Sequence, residues 1–198
     1  GKTVSRLIAK EVKNLLLVSR DLDKLEKLTA KIKNENENIN VKFSNKLEEA
    51  LQKSRIFITV SGAVEALINP QELLSGSVVC DVARPRDVAR DVGKKRDDVL
   101  VIEGGIVSIP GNVDFNFNFG VEGQNAYACM AETMLLTLEE KFQSFSLGPD
   151  IQIDKVREIQ ELAKKHGFSL AGLRSYGKLL QEKTIREIKS NSKQKSTA

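Results

Sequence analysis

The stretch that decides the fold is residues 15–28, which read Leu-Leu-Leu-Val-Ser-Arg-Asp-Leu-Asp-Lys-Leu-Glu-Lys-Leu. Its first four residues form a short continuous apolar run, which is typical of a strand buried on both faces. Asp21 then begins a helix as its N-cap, and the three leucines that follow at helical spacing lie on one face. A buried strand that leads directly into an amphipathic helix is the building unit of a parallel sheet.

The same unit recurs along the first half of the chain. The pattern predicts helices at 2–10, 46–53 and 69–74 and further strands at 41–43, 55–60, 77–82 and 99–102. Strand and helix alternating with short connections predict an α/β fold, a Rossmann-like doubly wound parallel sheet covered by helices. Gly1 looks like the last glycine of a phosphate-binding loop, so we expect the first strand and most of the Gly-rich loop to be missing.

Past residue 104 the pattern changes. Residues 112–119 alternate strictly between apolar and polar, which predicts a strand with Val113, Phe115, Phe117 and Phe119 on one face. Helices are predicted at about 123–142 and 154–166, the second ended by Gly167. We expect this part to form a helical cap on the sheet.

Composition narrows the class of protein. The chain has 198 residues and a net charge of +4, from 31 Lys and Arg against 27 Asp and Glu. It has no Trp and only two Tyr, so it lacks the aromatics of a nucleic-acid-binding face, and no window is apolar enough to span a membrane. Two cysteines favour a reducing compartment over a disulfide scaffold. We expect a cytoplasmic protein that binds no nucleic acid.

The end of the second strand of the doubly wound sheet indicates the cofactor. Proteins that bind the non-phosphorylated dinucleotide place Asp or Glu there, whereas this chain has Ser19 and Arg20. A hydroxyl and a guanidinium suit a 2′-phosphate, which predicts NADPH. The alternative is a solvated arginine at the helix entry. The predicted cofactor site also includes Gly1 of the phosphate-binding loop and Ser61 and Gly62 at the end of a strand. Gly104 and Gly105 complete it, because paired glycines after a strand allow close backbone approach to a ligand or a tight turn.

The two cysteines occupy different environments. Cys80 lies inside a predicted buried strand and is expected to be a small core side chain. Cys129 lies early in a helix and opposite its apolar stripe, so it is the candidate nucleophile. The alternative is burial of this thiol by a second packing surface that includes Leu136. The stripe itself consists of Tyr127, Met130, Ala131, Met134, Leu138 and Phe142.

His166 is the only histidine, so neither a catalytic triad nor a metal site is expected. It lies in the last turn of its predicted helix, where the helix dipole favours a cation. A proton-relay role is the functional alternative.

Four segments together resemble the long-chain acyl-[acyl-carrier-protein] reductases. They are Leu-Leu-Val-Ser-Arg at 16–20, Val-Ile-Glu-Gly-Gly-Ile-Val at 101–107, Tyr-Ala-Cys-Met-Ala-Glu-Thr-Met-Leu-Leu at 127–136 and Lys-His-Gly-Phe at 165–168. The third segment is the most specific. The sheet half is also similar to the NADP domains of shikimate dehydrogenase and glutamyl-tRNA reductase.

The resemblance implies an NADP-dependent oxidoreductase that reduces long-chain acyl thioesters, carried by acyl carrier protein or coenzyme A, to fatty aldehydes. In that family a cysteine at the position of Cys129 takes the acyl group as a thioester. That family also has an N-terminal domain ahead of the nucleotide loop, so we expect the chain alone to be inactive. Two alternatives stay open: a shikimate dehydrogenase-like or glutamyl-tRNA reductase-like oxidoreductase with another substrate, and a non-enzymatic nucleotide-sensing protein.

These expectations divide the chain into three parts. Residues 1–110 form an NADP-binding domain without its N-terminal end, and residues 111–177 form a helical, catalytic cap. Residues 178–198 carry six basic and two acidic side chains and are expected to be a disordered basic tail.

Overall fold

The computed structural model describes every residue except 64–65, 84, 89–95, 119, 149–150 and 197–198. The helices within the described residues are α1 (Lys2–Ile8), α2 (Leu22–Glu35), α3 (Leu47–Leu51), α4 (Ala128–Leu138), α5 (Ile153–Lys165) and α6 (Glu182–Ser196), with a 3-10 turn at Pro70–Glu72. The strands are β1 (Asn14–Val18), β2 (Asn40–Ser44), β3 (Ile56–Thr59), β4 (Val78–Asp81), β5 (Leu100–Glu103), β6 (Ile106–Ser108), β7 (Asn125–Tyr127), β8 (Ser169–Leu170), β9 (Arg174–Ser175) and β10 (Lys178–Leu179).

Five parallel strands carry the first half of the chain. β1 pairs with β2, and β3, β4 and β5 pair in that order, all in parallel. Among the described residues, β1 pairs only with β2 and β3 pairs only with β4. A complete doubly wound sheet has one further strand between a pair such as β1–β2 and a group such as β3–β4–β5. The predicted α/β class, with parallel strands covered by helices, is confirmed.

β1 and α2 pack together as their sequence pattern predicts. The Asp21 side chain accepts a hydrogen bond from the backbone N of Lys24 at 3.0 Å, which confirms it as the N-cap of α2. Leu25 and Ile32 of α2 are buried against Leu17 of β1 and its neighbours. This core joins α2 to the β1–β2 pair.

A second core lies beneath β3, β4 and β5. Val79 of β4 and Val101 of β5 are buried in it together with Leu51 of α3. The remaining buried members come from the connections between the strands: Ile68, Leu73, Val88 and Val99. Continuous apolar strands buried on both faces are typical of such a sheet.

The chain after β5 contains a small antiparallel sheet and two packed helices. β6 pairs with β7 on one side and with β8 on the other. α4 and α5 pack together through buried Leu135, Leu136, Phe145 and Leu162. The helix predicted at 154–166 is therefore present, as α5.

The strand predicted at 112–119 is wrong, because residues 112–118 contain no strand and Phe119 lies outside the described residues. The Gln124 side chain bonds both backbone groups of Val113, accepting from its N at 2.9 Å and donating to its O at 3.2 Å. Asp114 and Asn118 each accept a hydrogen bond from the backbone N two residues later, which forms turns. These side-chain bonds replace the ladder that an alternating strand would need.

The C-terminal stretch predicted to be disordered forms α6 over most of its length. The backbone O of Ser192 accepts a hydrogen bond from Ser75 Oγ at 3.2 Å, and Asn191 Nδ2 donates to the Asp97 backbone O at 3.2 Å. Lys195 Nζ lies 2.6 Å from Asp97 Oδ1. Lys195 thus has an acidic partner at the amino edge of the sheet, and Asn191 and Ser192 form backbone hydrogen bonds at the same edge.

A buried ion pair lies under α6 and predicts acid sensitivity. Asp98 is only 1% exposed, and Arg96 donates to both of its oxygens at 2.8 and 2.9 Å. The Arg96 guanidinium holds the pKa of Asp98 well below its usual range. Because the folded pKa is depressed, the stabilisation is complete above about pH 4 and is lost as pH falls below that value.

We therefore expect Asp98→Asn to lower the free energy of unfolding at pH 7 by about 3 kcal/mol, since it leaves Arg96 without its carboxylate. Urea unfolding at pH 7 and pH 3 measures this. The stability difference between wild type and variant should shrink at pH 3. An equal difference at both pH values would show that this pair does not cause the acid sensitivity.

Candidate functional site

The carboxyl ends of β3, β4 and β5 lie side by side. Thr59, Asp81 and Glu103 are in register across the three strands. The loops that follow these strands therefore begin at one edge of the sheet, which is where doubly wound proteins bind nucleotides. Two pairs of predicted cofactor residues, Ser61–Gly62 and Gly104–Gly105, are brought to this edge.

Two buried aspartates shape these loops. Asp81 accepts hydrogen bonds from Thr59 Oγ1 at 3.0 Å and from the backbone N of Ala83 and of Val88 at 3.1 Å each. Asp87 accepts from the backbone N of Ser61 at 3.1 Å and also from its hydroxyl. Asp81 thus folds the loop after β4, and Asp87 ties that loop to the one after β3.

The sequence pattern does not single out these aspartates. Asp87 stands among many charged residues that look solvated, and only the fold reveals that it is buried. The one local signal is Asp81, a carboxylate placed directly at the end of an apolar strand.

Glu103 anchors the β9–β10 hairpin to the same edge. One of its oxygens accepts a hydrogen bond from Arg86, and the other accepts from the backbone N of Gly177 at 2.8 Å. The Arg86 guanidinium also lies over the Tyr176 ring, 5.3 Å from its centroid. This contact closes one side of the carboxyl edge.

Gly104 is required by packing against its neighbours. A Cβ at this position would lie 2.6 Å from Val82 Cγ2 and 3.4 Å from Cys80 Sγ. Valine is stiff about χ1, so Val82 cannot easily turn away. Gly105 adopts a φ of +80°, and its carbonyl accepts a hydrogen bond from the backbone N of Ala128 at 2.8 Å. The pair therefore makes the tight turn between β5 and β6, and the Gly105 carbonyl ties that turn to the start of α4.

Gly104→Ala is expected to lower the free energy of unfolding by about 1–3 kcal/mol, because the added methyl overlaps Val82. Gly62→Ala is the matched control, since nothing lies within 4 Å of its Cβ position. Val82→Ala should restore most of the loss in a double-mutant cycle measured by urea unfolding. If the double variant is no more stable than Gly104→Ala, the steric explanation fails.

The other cofactor candidates lie in two places. Gly1 is the N-cap of α1, and a Cβ there would lie 3.5 Å from Val60 Cγ2, just beyond the end of β3. The Ser61 hydroxyl already donates to Asp87, whereas Gly62 faces open space. Gly62 therefore leaves room for a ligand, while Ser61 supports the loop.

Ser19 and Arg20 lie apart from that group, at the carboxyl end of β1. Both are exposed, and the backbone N of Ser19 donates to the Ser44 carbonyl at 3.3 Å. The neighbouring Asp21 carboxylate is turned to Lys24, whose Nζ lies 2.7 Å away. An exposed guanidinium beside a hydroxyl, with the nearest carboxylate already paired, fits the 2′-phosphate of NADPH.

Cys129 is the second residue of α4 and is exposed, so the prediction that it lies outside the core is confirmed. The Ala128–Gly105 hydrogen bond ties the first turn of α4 to the carboxyl edge of the sheet. The predicted apolar stripe is wrong in detail, because Leu138 and Phe142 are 58% and 83% exposed. The core side chains of α4 are Ala131, Leu135 and Leu136, which meet α5 and Phe145.

Cys80 and His166 are set in structural contacts. Cys80 is partly buried in β4, and burial raises the pKa of its thiol, which disfavours the reactive thiolate. His166 Nε2 lies 2.5 Å from Glu139 Oε1, which also accepts from Lys165 Nζ at 2.6 Å. This pair joins the C-terminal ends of α4 and α5, about 15 Å along the helix from Cys129. The geometry therefore favours a structural role for His166.

The described part of the chain has neither a metal-binding cluster nor a membrane-spanning helix. No group of three or more His, Cys, Asp and Glu side chains is placed to hold a metal ion there. In the same residues, no helix has the length and apolar character needed to cross a membrane.

Comparison with known proteins shows which family the chain matches and which proteins it is similar to. Residues 1–103 match the shikimate / quinate 5-dehydrogenase family. A Serratia protein named aminotransferase PigE is 38% identical over 145 residues, which is 72% of this chain and 17% of that protein. The glutamyl-tRNA reductase of Methanocaldococcus jannaschii is 30% identical over 99 residues, 49% of this chain and 24% of that protein. That of Cyanophora paradoxa is 28% identical over 172 residues, 81% of this chain and 37% of that protein. The chain thus spans less than two fifths of the length of each relative.

Proposed function

The chain belongs to the shikimate / quinate 5-dehydrogenase family, and from this premise we propose that it is part of a reductase that converts an activated acyl group to an aldehyde. At the coarser level it is a Rossmann-like oxidoreductase domain for a nicotinamide cofactor. The finer proposal is an NADPH-dependent, cytoplasmic enzyme that acts on long-chain acyl thioesters carried by acyl carrier protein or coenzyme A.

The observation that carries the finer proposal is the position of Cys129. Its thiol is exposed in the first turn of α4, and that turn is bonded to Gly105 at the edge where the family binds its cofactor. A nucleophile beside a cofactor site allows an acyl group to be held covalently while it is reduced.

The chemistry assigned to Cys129 is thiol exchange. The Cys129 thiolate attacks the thioester carbon and forms a new C–S bond, while the bond to the carrier sulfur breaks and that sulfur leaves as a thiol after taking a proton. The first-turn N–H groups of α4, at Cys129 and Met130, point out of the helix start and can stabilise the oxyanion that forms. When bound, NADPH would supply the hydride that reduces the acyl carbon. The C–S bond to Cys129 would then break, which releases the aldehyde and returns the thiol once the sulfur takes a proton.

Four parts of the chain would hold that cofactor. Ser19 and Arg20 would bind the 2′-phosphate, and Gly62 leaves open space at the carboxyl edge. The Gly104–Gly105 turn would let the cofactor come close to the backbone beside Cys129, because Gly105 has open space at its Cβ position and is bonded to Ala128. Gly1 begins α1 at the same edge, where the helix N-terminus favours a diphosphate.

The names of the relatives support the reduction of an activated acyl group as the reaction class. A reductase that acts on glutamyl-tRNA acts on an acyl group activated as an ester, and a thioester is a related substrate. The 145 residues shared with the protein named as an aminotransferase exceed the 103 of the family match, so that likeness extends into the cap. An aldehyde is an acceptor for an amino group, which is consistent with an aldehyde product.

A second candidate is a dehydrogenase-like oxidoreductase with another substrate, in which Cys129 is incidental. It is favoured by the family match, which ends at residue 103 and therefore supports the cofactor site without the cysteine. The two candidates differ in substrate and product and share the cofactor site.

Product analysis with the complete natural protein separates them. It is incubated with NADPH and either a long-chain acyl thioester, an aminoacyl ester or a keto acid, and aldehydes are trapped with a hydrazine reagent. Aldehyde from the long-chain thioester supports the proposal. NADPH oxidation with the keto acid, and no aldehyde from either acyl substrate, would favour the second candidate.

A further inference from the structure

We propose that Glu132 takes the thiol proton of Cys129 and passes it to the leaving group. This inference rests on the proposed function, because it takes Cys129 to be the residue that attacks the acyl carbon. A cysteine thiol ordinarily holds its proton at neutral pH, so acyl transfer is faster where a neighbouring group removes that proton. His166, the only histidine, is bonded to Glu139 at the far end of α4 and is too distant for this task.

Glu132 lies one helical turn after Cys129 on the same face of α4. Side chains three residues apart on a helix have their Cβ atoms about 5–6 Å apart, so a glutamate carboxylate there can reach the cysteine sulfur directly or through one water. Thr133, the other polar side chain one turn from Cys129, is already used, because its Oγ1 donates to the Cys129 carbonyl at 3.2 Å. Glu132 is thus the side chain on this turn that can accept a proton.

A third group orients the Glu132 carboxylate. Ser146 Oγ, in the loop that follows α4, donates to Glu132 Oε1 at 2.7 Å. That loop is fixed to α5, because Lys155 Nζ donates to the Ser144 carbonyl at 2.8 Å and Phe145 is buried between α4 and α5. A nucleophile, a base and a group that orients the base form the arrangement typical of activated nucleophiles.

The charged groups around Glu132 leave its carboxylate free to take a proton. Lys141, which with Glu132 lines a cavity of about 340 Å³ beside α4, forms an ion pair with Glu158 of α5. Lys155 is directed to a backbone carbonyl, and in the part of the chain that the structure describes no lysine or arginine pairs with Glu132. The strands packed against α4, β6 and β7, carry no charged side chain, and Tyr127 is their one titratable group. A carboxylate that no cation holds is the better proton acceptor.

The proposed step is balanced in protons. Glu132 takes the proton as the Cys129 sulfur forms its bond to the acyl carbon. It gives the proton to the carrier sulfur as the bond between that sulfur and the acyl carbon breaks. The carrier therefore leaves as a neutral thiol and Glu132 regains its charge, so the step needs no other acid or base.

The test uses the complete natural protein and the rate at which Cys129 is acylated by the acetyl thioester of a small thiol, between about pH 6 and pH 9. Glu132→Gln can still accept the hydrogen bond from Ser146 but cannot take the proton. Sodium formate is added to Glu132→Ala, because this variant leaves room for a small carboxylate. Glu140→Gln, exposed just beyond the end of α4, is the matched control. A parallel assay measures aldehyde from a long-chain acyl thioester with NADPH.

We expect Glu132→Gln to lower the acylation rate at pH 7 about 100-fold or more, and formate to restore part of the rate in Glu132→Ala. The rate of Glu132→Gln should rise about tenfold per pH unit as hydroxide replaces the carboxylate, so the difference from wild type should shrink towards pH 9. Glu140→Gln should behave as wild type. A carboxylate that acted only by its charge would disfavour the thiolate, and Glu132→Gln would then react faster than wild type.

The other outcomes separate this inference from the proposed function. Aldehyde formation together with an acylation rate in Glu132→Gln that equals or exceeds that of wild type would overturn the inference and leave the proposed function standing. An equal loss at every pH, without rescue by formate, would indicate a structural role and also overturn it. Slower acylation in Glu132→Gln with formate rescue, but no aldehyde from wild type, would support the base and overturn the proposed function. A wild type in which Cys129 is never acylated would overturn both.

Discussion

Replacing Cys129 by serine should reduce aldehyde formation from acyl thioesters by at least about 10³-fold in kcat/KM. A hydroxyl is a far weaker nucleophile than a thiolate at neutral pH, and an oxygen ester holds the acyl group in a less reducible form. Because Cys129 is exposed, the change should leave the free energy of unfolding within about 0.5 kcal/mol of wild type. Steady-state aldehyde production and urea unfolding measure the two effects.

Cys80→Ser is the matched control for this prediction. Cys80 is partly buried in β4, and the pKa of its thiol is raised by burial, so it should play no part in acyl transfer. Most of the activity should remain in this variant. Near wild-type turnover in Cys129→Ser would instead show that Cys129 is not the nucleophile, and it would favour the dehydrogenase-like candidate.

Arg20→Ala should weaken NADPH binding by about 1–3 kcal/mol, or roughly 5- to 150-fold in Kd, and leave NADH binding unchanged. The reason is that only NADPH carries the 2′-phosphate that a guanidinium at the end of β1 can contact. Calorimetric titration of the complete protein with each cofactor measures the difference.

Lys24→Ala is the control for a simple loss of positive charge near β1. Lys24 is exposed but is paired with Asp21, so its removal should affect NADPH binding less than the removal of Arg20. An equal loss of NADPH and NADH affinity in Arg20→Ala would contradict the phosphate assignment, and no loss of either affinity would indicate that Arg20 is a solvated residue at the helix entry.

The parallel-sheet half could be predicted because its signals are local. The apolar run of β1, the Asp21 cap and the leucines of α2 each act within a few residues, and the structure has all of them. The exposure of Cys129 agrees with the prediction, but the helical phase behind that prediction does not hold, because Leu136 lies seven residues further on the same face and is buried.

The remaining features depend on contacts between distant residues. Gln124 holds Val113 out of a strand, although the alternation at 112–118 is typical of one. Asp97 and Ser75 order a basic stretch that reads as a tail. Asp87 is buried and accepts a hydrogen bond from Ser61, 26 residues earlier in the chain. None of these pairings leaves a periodic signal, so each had to be seen in the fold.

The central claim is that Cys129 carries the acyl group, and mass spectrometry of the protein and its peptides tests it most directly. The complete protein is mixed with a long-chain acyl thioester without NADPH, digested and mapped. The account predicts one added acyl mass, located on the peptide that contains Cys129, and its disappearance together with release of aldehyde once NADPH is added. An acyl mass that is absent, or that NADPH does not discharge, would contradict it.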